Sequence, residues 1–274
     1  MDYLEYYGLR EHPFSNVVDN RFYYNSPQHS DALNRLRYAV DTRKGLAVVI
    51  GDIGTGKTTL AVRFLENLDE KQYEAALLVV IHSSVSSEWI LKKFAMQLGI
   101  PNIKENKVDI LSQIHNRLFE VNKEGRKTVV MIDEVQMLHS KEIMEEFRGL
   151  LNIEMPEGKM INFVFFGLPE LEHVLSLDEP LKQRVAMMVR LKAFSEEDTH
   201  NYITHRLRVA GCSREIFEEE AIKLIIKYSK GLPRLINAVC DNALLEGYLF
   251  KKNAIDGLTI KTVAEDLGLD SGVE

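Results

Sequence analysis

Gly51-Asp52-Ile53-Gly54-Thr55-Gly56-Lys57-Thr58 sets three glycines, a lysine and a hydroxyl in the spacing GxxxxGK[ST]. These residue types suit the handling of a polyphosphate. Glycines at 51, 54 and 56 let the backbone take positive φ and turn the loop's N–H groups, those of Asp52, Ile53 and Thr55 included, toward phosphate oxygens. A helix starting here adds a dipole that favours an anion. Lys57 then reaches the β- and γ-phosphates, and the Thr58 hydroxyl ligates Mg²⁺. Thr59 faces the α-phosphate or helps to cap the helix. A glycine turn with a chance lysine is the alternative, and the strand pattern before the loop and the helical pattern after it weigh against that.

The second constellation is Thr128-Val129-Val130-Met131-Ile132-Asp133-Glu134, an apolar run ending in two acids. A buried strand of this form delivers carboxylates to the edge of a sheet. The phosphate loop calls for a metal-binding carboxylate on a neighbouring strand, so Asp133 is expected to hold Mg²⁺ through its water shell and Glu134 to act as general base toward the attacking water. Exposed acids at a strand end are common without function, and it is the pairing with the loop that selects this reading.

Two arginines extend the shortlist. Arg184, in Leu181-Lys182-Gln183-Arg184, stands where an ATPase of this class places an arginine that completes the site of an adjacent subunit. The alternative is a surface arginine pairing with Glu179 or another acid, and Arg190 is a rival for the catalytic role. Arg234 follows Gly231-Leu232-Pro233, a helix stop and then a proline at the first helical position. A cation there opposes the helix dipole, which favours an anionic partner such as the γ-phosphate over a plain surface role. The turn after residues 161–166 carries Leu168 where a polar residue would sense the γ-phosphate, and Asn162 lies at the wrong end of that strand, so this sensor has no assignment.

The elements that must position these groups follow from periodicity. Short apolar runs at 46–50, 76–81, 128–132, 161–166 and 187–191 read as strands buried on both faces. Helical patterns at 57–68, 87–98, 108–121, 141–151 and 170–175 alternate with them, as around a parallel sheet. From residue 195 the strand signal stops, and helices are expected over 196–209, 217–229, 233–250 and 259–267. In the second of these Phe217, Ala221, Leu224, Ile225 and Tyr228 form one stripe. The fold class is thus α/β: a three-layer P-loop NTPase of the ATP-hydrolysing division with a C-terminal α-helical lid. The divisions expected are an N-terminal arm and helix at 1–40, a nucleotide-binding core at 41–194 and the lid at 195–274.

The whole chain has 274 residues, a formal charge of −7 and 45% apolar residues. That balance argues against a surface devoted to nucleic acid or membrane, although Lys92, Lys93, Lys104, Lys107, Lys251 and Lys252 are candidates for a local basic groove. Cys212 and Cys240 show no metal-ligand spacing. An acidic N-terminus and the lack of a long apolar run give a cytoplasmic protein with no direct membrane insertion as the expectation.

With these pieces in place the chain resembles the ExeA-type AAA+ ATPases (general secretion pathway protein A), relatives of the transposition ATPases of the MuB and TniB kind. The resemblance runs through Tyr7-Gly8-Leu9-Arg10-Glu11-His12-Pro13-Phe14-Ser15 and Phe22-Tyr23-Tyr24-Asn25-Ser26-Pro27-Gln28-His29. It continues through the phosphate loop, Ile132-Asp133-Glu134-Val135-Gln136, Gly167-Leu168-Pro169-Glu170-Leu171 and residues 228–237. It implies an ATP- and Mg²⁺-dependent core with a helical lid, self-association into a ring or filament, and coupling to a bacterial envelope machine. Pro13–Phe14 and Phe22–Tyr24 would lie near an adenine or form a packed aromatic cluster. Such proteins often continue into a membrane segment and a peptidoglycan-binding domain. With neither before Glu274, a separate membrane or envelope protein partner is expected, or service to another machine. A transposition-type, DNA-binding regulator is the alternative function.

Overall fold

The computed structural model describes residues 2–212 and 214–269. By contacts the chain forms two units. A sheet unit comprises Pro27–Ile53 and Lys57–Leu191, and a helical unit takes the described residues of 1–26, 54–56 and 192–274.

In the sheet unit five strands, β1 (Leu46–Gly51), β2 (Tyr73–Val79), β3 (Lys127–Asp133), β6 (Ile161–Gly167) and β7 (Val185–Leu191), pair in parallel in the order β2-β3-β6-β1-β7. A two-residue ribbon, β4 (Glu154–Met155) with β5 (Gly158–Lys159), stands apart from them. Parallel neighbours require crossovers, which here are α3 (Lys57–Glu66), α4 (Ser87–Gln97), α5 (Lys107–Lys123), α6 (Lys141–Leu151), α7 (Leu171–Leu175) and α8 (Glu179–Lys182). Serine and asparagine caps fix the starts of three of them: Ser86 accepts from the Trp89 amide, Asn106 from Asp109 and Ser140 from Ile143.

The strands alternate strictly between two cores. Val48, Ile50, Val130, Ile132, Phe163 and Phe165 point into one, with α4, α5 and α6. Ala47, Val49, Val129, Met131, Val164 and Phe166 point into the other, with α3 and α2 (Pro27–Asp41). Burial on both faces holds for β1, β3 and β6. It fails for β2, where half-buried residues interrupt the pattern, and for β7, where exposed ones do; these are the sheet's edges. The carboxylate strand is likewise not the neighbour of β1: β6 pairs with both and lies between them. Register nevertheless brings the strand ends level, with Ile50 opposite Gly167, and Ile132 opposite Phe165.

The helical unit contains α1 (Tyr3–Tyr7), a 3₁₀ turn (Asn20–Phe22), α9 (Glu196–Val209), α10 (Glu219–Ser229), α11 (Pro233–Leu249) and α12 (Gly257–Asp266). The stripe Phe217, Ala221, Leu224, Ile225 and Tyr228 is buried in its core. One strand-like element escaped the helical reading, a parallel bridge between Phe217 and Ile255. The stretch expected as one arm and helix is divided, since residues 2–26 pack in this unit and α2 in the other. Buried Arg206 ties the N-terminal residues down, donating to the carbonyls of Pro13 and Ser15 (2.8 Å to the latter) and lying over the Phe22 ring. Gly231 is required by space as well as by its φ of +72°: a Cβ there would meet the Phe194 carbonyl oxygen at 2.2 Å. Among the described residues no helix is long and apolar enough to cross a membrane.

Candidate functional site at the strand ends of the sheet

The phosphate loop leaves β1 at Gly51 and enters α3 at Lys57. Gly54 and Gly56 have φ of +82° and +93°, the conformation their type was expected to supply. Gly51 does not share it. It is the last residue of β1 and still pairs with Leu191 of β7, so it keeps an extended backbone. Asp52 and Ile53 are exposed, Thr55 is buried, and Thr59 is half-buried on the first turn of α3. In the helical unit, which includes Gly54–Gly56, the Arg234 amide donates to the Gly54 carbonyl at 3.4 Å.

Lys57 is only 7% exposed, and its Nζ donates to the carbonyls of Gly51 (2.8 Å) and Asp52 (2.9 Å). Burial lowers its pKa from the ordinary lysine value, opposed by the charges of Glu134, Asp133, Asp52 and Glu170. Thr58 Oγ1 donates to Asp133 Oδ2 at 2.5 Å, and the Glu134 amide donates to Asp133 Oδ1 at 2.9 Å. Asp133 is 1% exposed, and burial raises its carboxyl above the usual carboxylate range despite those two donors. The two motifs therefore meet in space, with a desolvated cation and a desolvated anion each lacking full solvent compensation.

That is the fit expected of a Mg²⁺–polyphosphate. Lys57 offers a counter-charge to phosphate, while Thr58 and Asp133 offer the oxygen donors Mg²⁺ takes, together with phosphates and waters. Among the described residues no group of three or more His, Cys, Asp or Glu could hold a metal by itself. Mg²⁺ bound through a nucleotide needs only one or two protein ligands.

Glu134 follows at φ 60° and ψ 36°, a left-handed conformation unusual for a glutamate and of the kind found at active sites. Its carboxylate accepts from Gln136 Nε2. Gln136 Oε1 in turn accepts from the Leu168 amide at 3.1 Å, in the turn where the polar sensor was sought. Sequence reasoning gave Gln136 no role. The available signal was an amide two residues beyond the acid pair, set among apolar Val135, Met137 and Leu138. Asn162 serves the opposite strand ends, accepting from the Gly45 amide and donating to the Thr128 carbonyl.

Arg184 lies at another edge. Its guanidinium donates to the Pro180 carbonyl (3.0 Å) and to Asn152 Oδ1 (2.9 Å), while Glu179 pairs with Lys182. Arg190 is paired with Glu172 at 2.6 Å. Phe14 and Phe22 are buried in the helical unit's core, Phe14 edge-on to Phe217, and the Tyr24 ring packs against Phe194. Among the candidate groove lysines, Lys92, Lys107 and Lys252 are ion-paired with Glu105, Glu146 and Asp256. Lys93 lies over the Trp89 ring, and Lys251 over Tyr6 and Tyr248.

Residues 40–175 match the AAA domain family. The chain is 32% identical over 249 residues to general secretion pathway protein A of Aeromonas hydrophila, covering 90% of this chain and 45% of that protein, so it spans less than half of its relative's length. In fold it is similar to Cdc6p from Pyrobaculum aerophilum, with a TM-score of 0.71 at 16% identity over 96% of this chain and 72% of that one. The Aeropyrum pernix ORC2 protein, in its ADPNP–ADP complexes, gives a TM-score of 0.70 at 15% identity over 93% and 71%.

Proposed function

From the match of residues 40–175 to the AAA domain family and the likeness to general secretion pathway protein A, we propose that the chain is an AAA+ P-loop ATPase that binds ATP with Mg²⁺ and hydrolyses it as the cytoplasmic assembly ATPase of a bacterial envelope machine of the secretion or pilus type. The observation that carries the hydrolytic part is the Thr58–Asp133 hydrogen bond, which joins the phosphate loop to the carboxylate strand across β6. The envelope part rests on the likeness to general secretion pathway protein A.

In this reading the loop amides and Lys57 hold the phosphates. Lys57 exchanges two neutral carbonyl acceptors for charged oxygens, a stronger set of hydrogen bonds. Thr58 and Asp133 would hold Mg²⁺, which when bound would supply positive charge to the phosphates. Glu134 accepts the proton of the attacking water. Arg184 completes the site of a neighbouring copy, and Arg234 contacts the γ-phosphate. Self-association into a ring or filament would make turnover depend on assembly, and a separate membrane or envelope protein would receive the nucleotide-driven change.

The test is the steady-state ATPase rate per subunit across a protein titration at low salt, with and without duplex DNA. This reading expects Mg²⁺-dependent turnover that climbs with protein concentration and ignores DNA. Stimulation by DNA that fades as salt rises would replace it with the transposition-type reading. Absence of turnover at every concentration would overturn both.

A further inference from the structure

We infer that Gln136 is a positioning residue: it ties the Glu134 carboxylate to the backbone of the turn after β6, and so supplies from the β3 side the polar link that Leu168 cannot. The inference rests on the reading of Glu134 as general base. Gln136 is 6% exposed, in the 3₁₀ turn Val135–Met137 directly beyond Glu134. Both ends of its amide are committed, Nε2 donating to Glu134 Oε2 and Oε1 accepting from the Leu168 amide. Only this orientation satisfies both neighbours, because a carboxylate can only accept and a main-chain N–H can only donate.

The surroundings are shaped to the link. A Cβ at Gly167 would lie 2.8 Å from Gln136 Oε1 and 2.9 Å from Leu171 Cδ2, so the glycine provides room for the amide rather than an unusual φ. Glu134, in its left-handed conformation, has its side chain aimed by this donor, and a buried amide with either end unpaired would be costly. The turn that follows β6 is therefore connected through a single side chain to the group that activates water. A shift of about 1 Å in a reacting group costs on the order of 10²-fold in rate, which sets the scale of the expected effect.

The decisive variants are Gln136→Glu, which keeps the acceptor for Leu168 but faces Glu134 with a second carboxylate, and Gln136→Met, which removes both polar ends at similar volume. For each, kcat, the Kd of a fluorescent ATP analogue and the melting temperature are measured beside Glu134→Gln and the double variant Glu134→Gln/Gln136→Met. Expected are kcat values lowered by about 10- to 100-fold with the analogue's Kd unchanged within about twofold, and a double variant no slower than Glu134→Gln alone. Three results would overturn the inference: wild-type kcat in both Gln136 variants while Glu134→Gln is inactive, a fall in kcat matched by lost nucleotide binding or folding in both, or losses that multiply in the double variant. Wild-type turnover in Glu134→Gln would instead remove the reading of the base, a result separate from any of these.

Discussion

The strand ends of β1 and β3 and the edge formed by α8 and β7 each hold a cation with an expected catalytic role, and the fold treats the two oppositely. At the first, Lys57 and Asp133 are taken out of water against the preference of both charges, and Thr58 bridges their motifs. At the second, Arg184 is half-buried at the surface and hydrogen-bonded to an asparagine side chain and a carbonyl, both neutral acceptors, and its charge helps to lower the pKa of the Glu154 carboxyl, whose main partner is Lys159. Nearby, Asp178, 3% exposed, caps α8 and pairs with Arg148 at 3.0 Å. The contrast is between charges desolvated at the strand ends, where the proposed site would hold the phosphates, and a charge left half-buried at the surface, where the proposed contact would come from a neighbouring copy.

The comparison can be broken at either end. Lys57→Ala should abolish nucleotide binding altogether, measured by titration with a fluorescent ATP analogue, and retained binding would remove the special status of the strand ends. Arg184→Ala should leave that binding unchanged and lose the part of the rate that grows with protein concentration, by about 10³-fold or more if it meets the γ-phosphoryl of a neighbour. An unchanged rate at high concentration would reduce the edge to structure.

Smaller effects sharpen the same contrast. Arg148→Leu should leave the buried Asp178 carboxylate unpaired and cost about 1–3 kcal/mol in urea unfolding, with nucleotide affinity intact. Asp133→Asn tests the price of desolvation. Burial raises the Asp133 pKa, so its protonated form is favoured by the fold; that stability is complete below the ordinary aspartate value of about 3.9 and lost as pH rises through the raised value. Without nucleotide the variant should melt with wild type in acid and higher than wild type near neutrality, by about 2–4 °C for each 1 kcal/mol.

The central strands and the phosphate loop were legible because uninterrupted apolar runs and a spaced glycine motif are local signals. The strand order was not, since pairing is a long-range choice that put β6 between the two motifs. The edge strands misled for the same reason, their exposed positions reflecting a missing neighbour. Helix α1 has five residues, too few for a period to appear, and is set by its Asp2 cap and Gly8 stop. Helix α2 starts at Pro27, proline's fixed φ being suited to a first turn. Gln136 and Arg206 stayed hidden because a polar residue in a sequence does not reveal its partners, here the turn at Leu168 and the carbonyls of Pro13 and Ser15.

The most direct test compares ATP turnover with Mg²⁺–ATP binding in wild type and Glu134→Gln. Wild type should hydrolyse ATP, and the variant should bind it with similar affinity while turning over about 10²- to 10⁴-fold more slowly. Turnover by Glu134→Gln at the wild-type rate would contradict the account, because the acid held at the end of β3 would then not be the base.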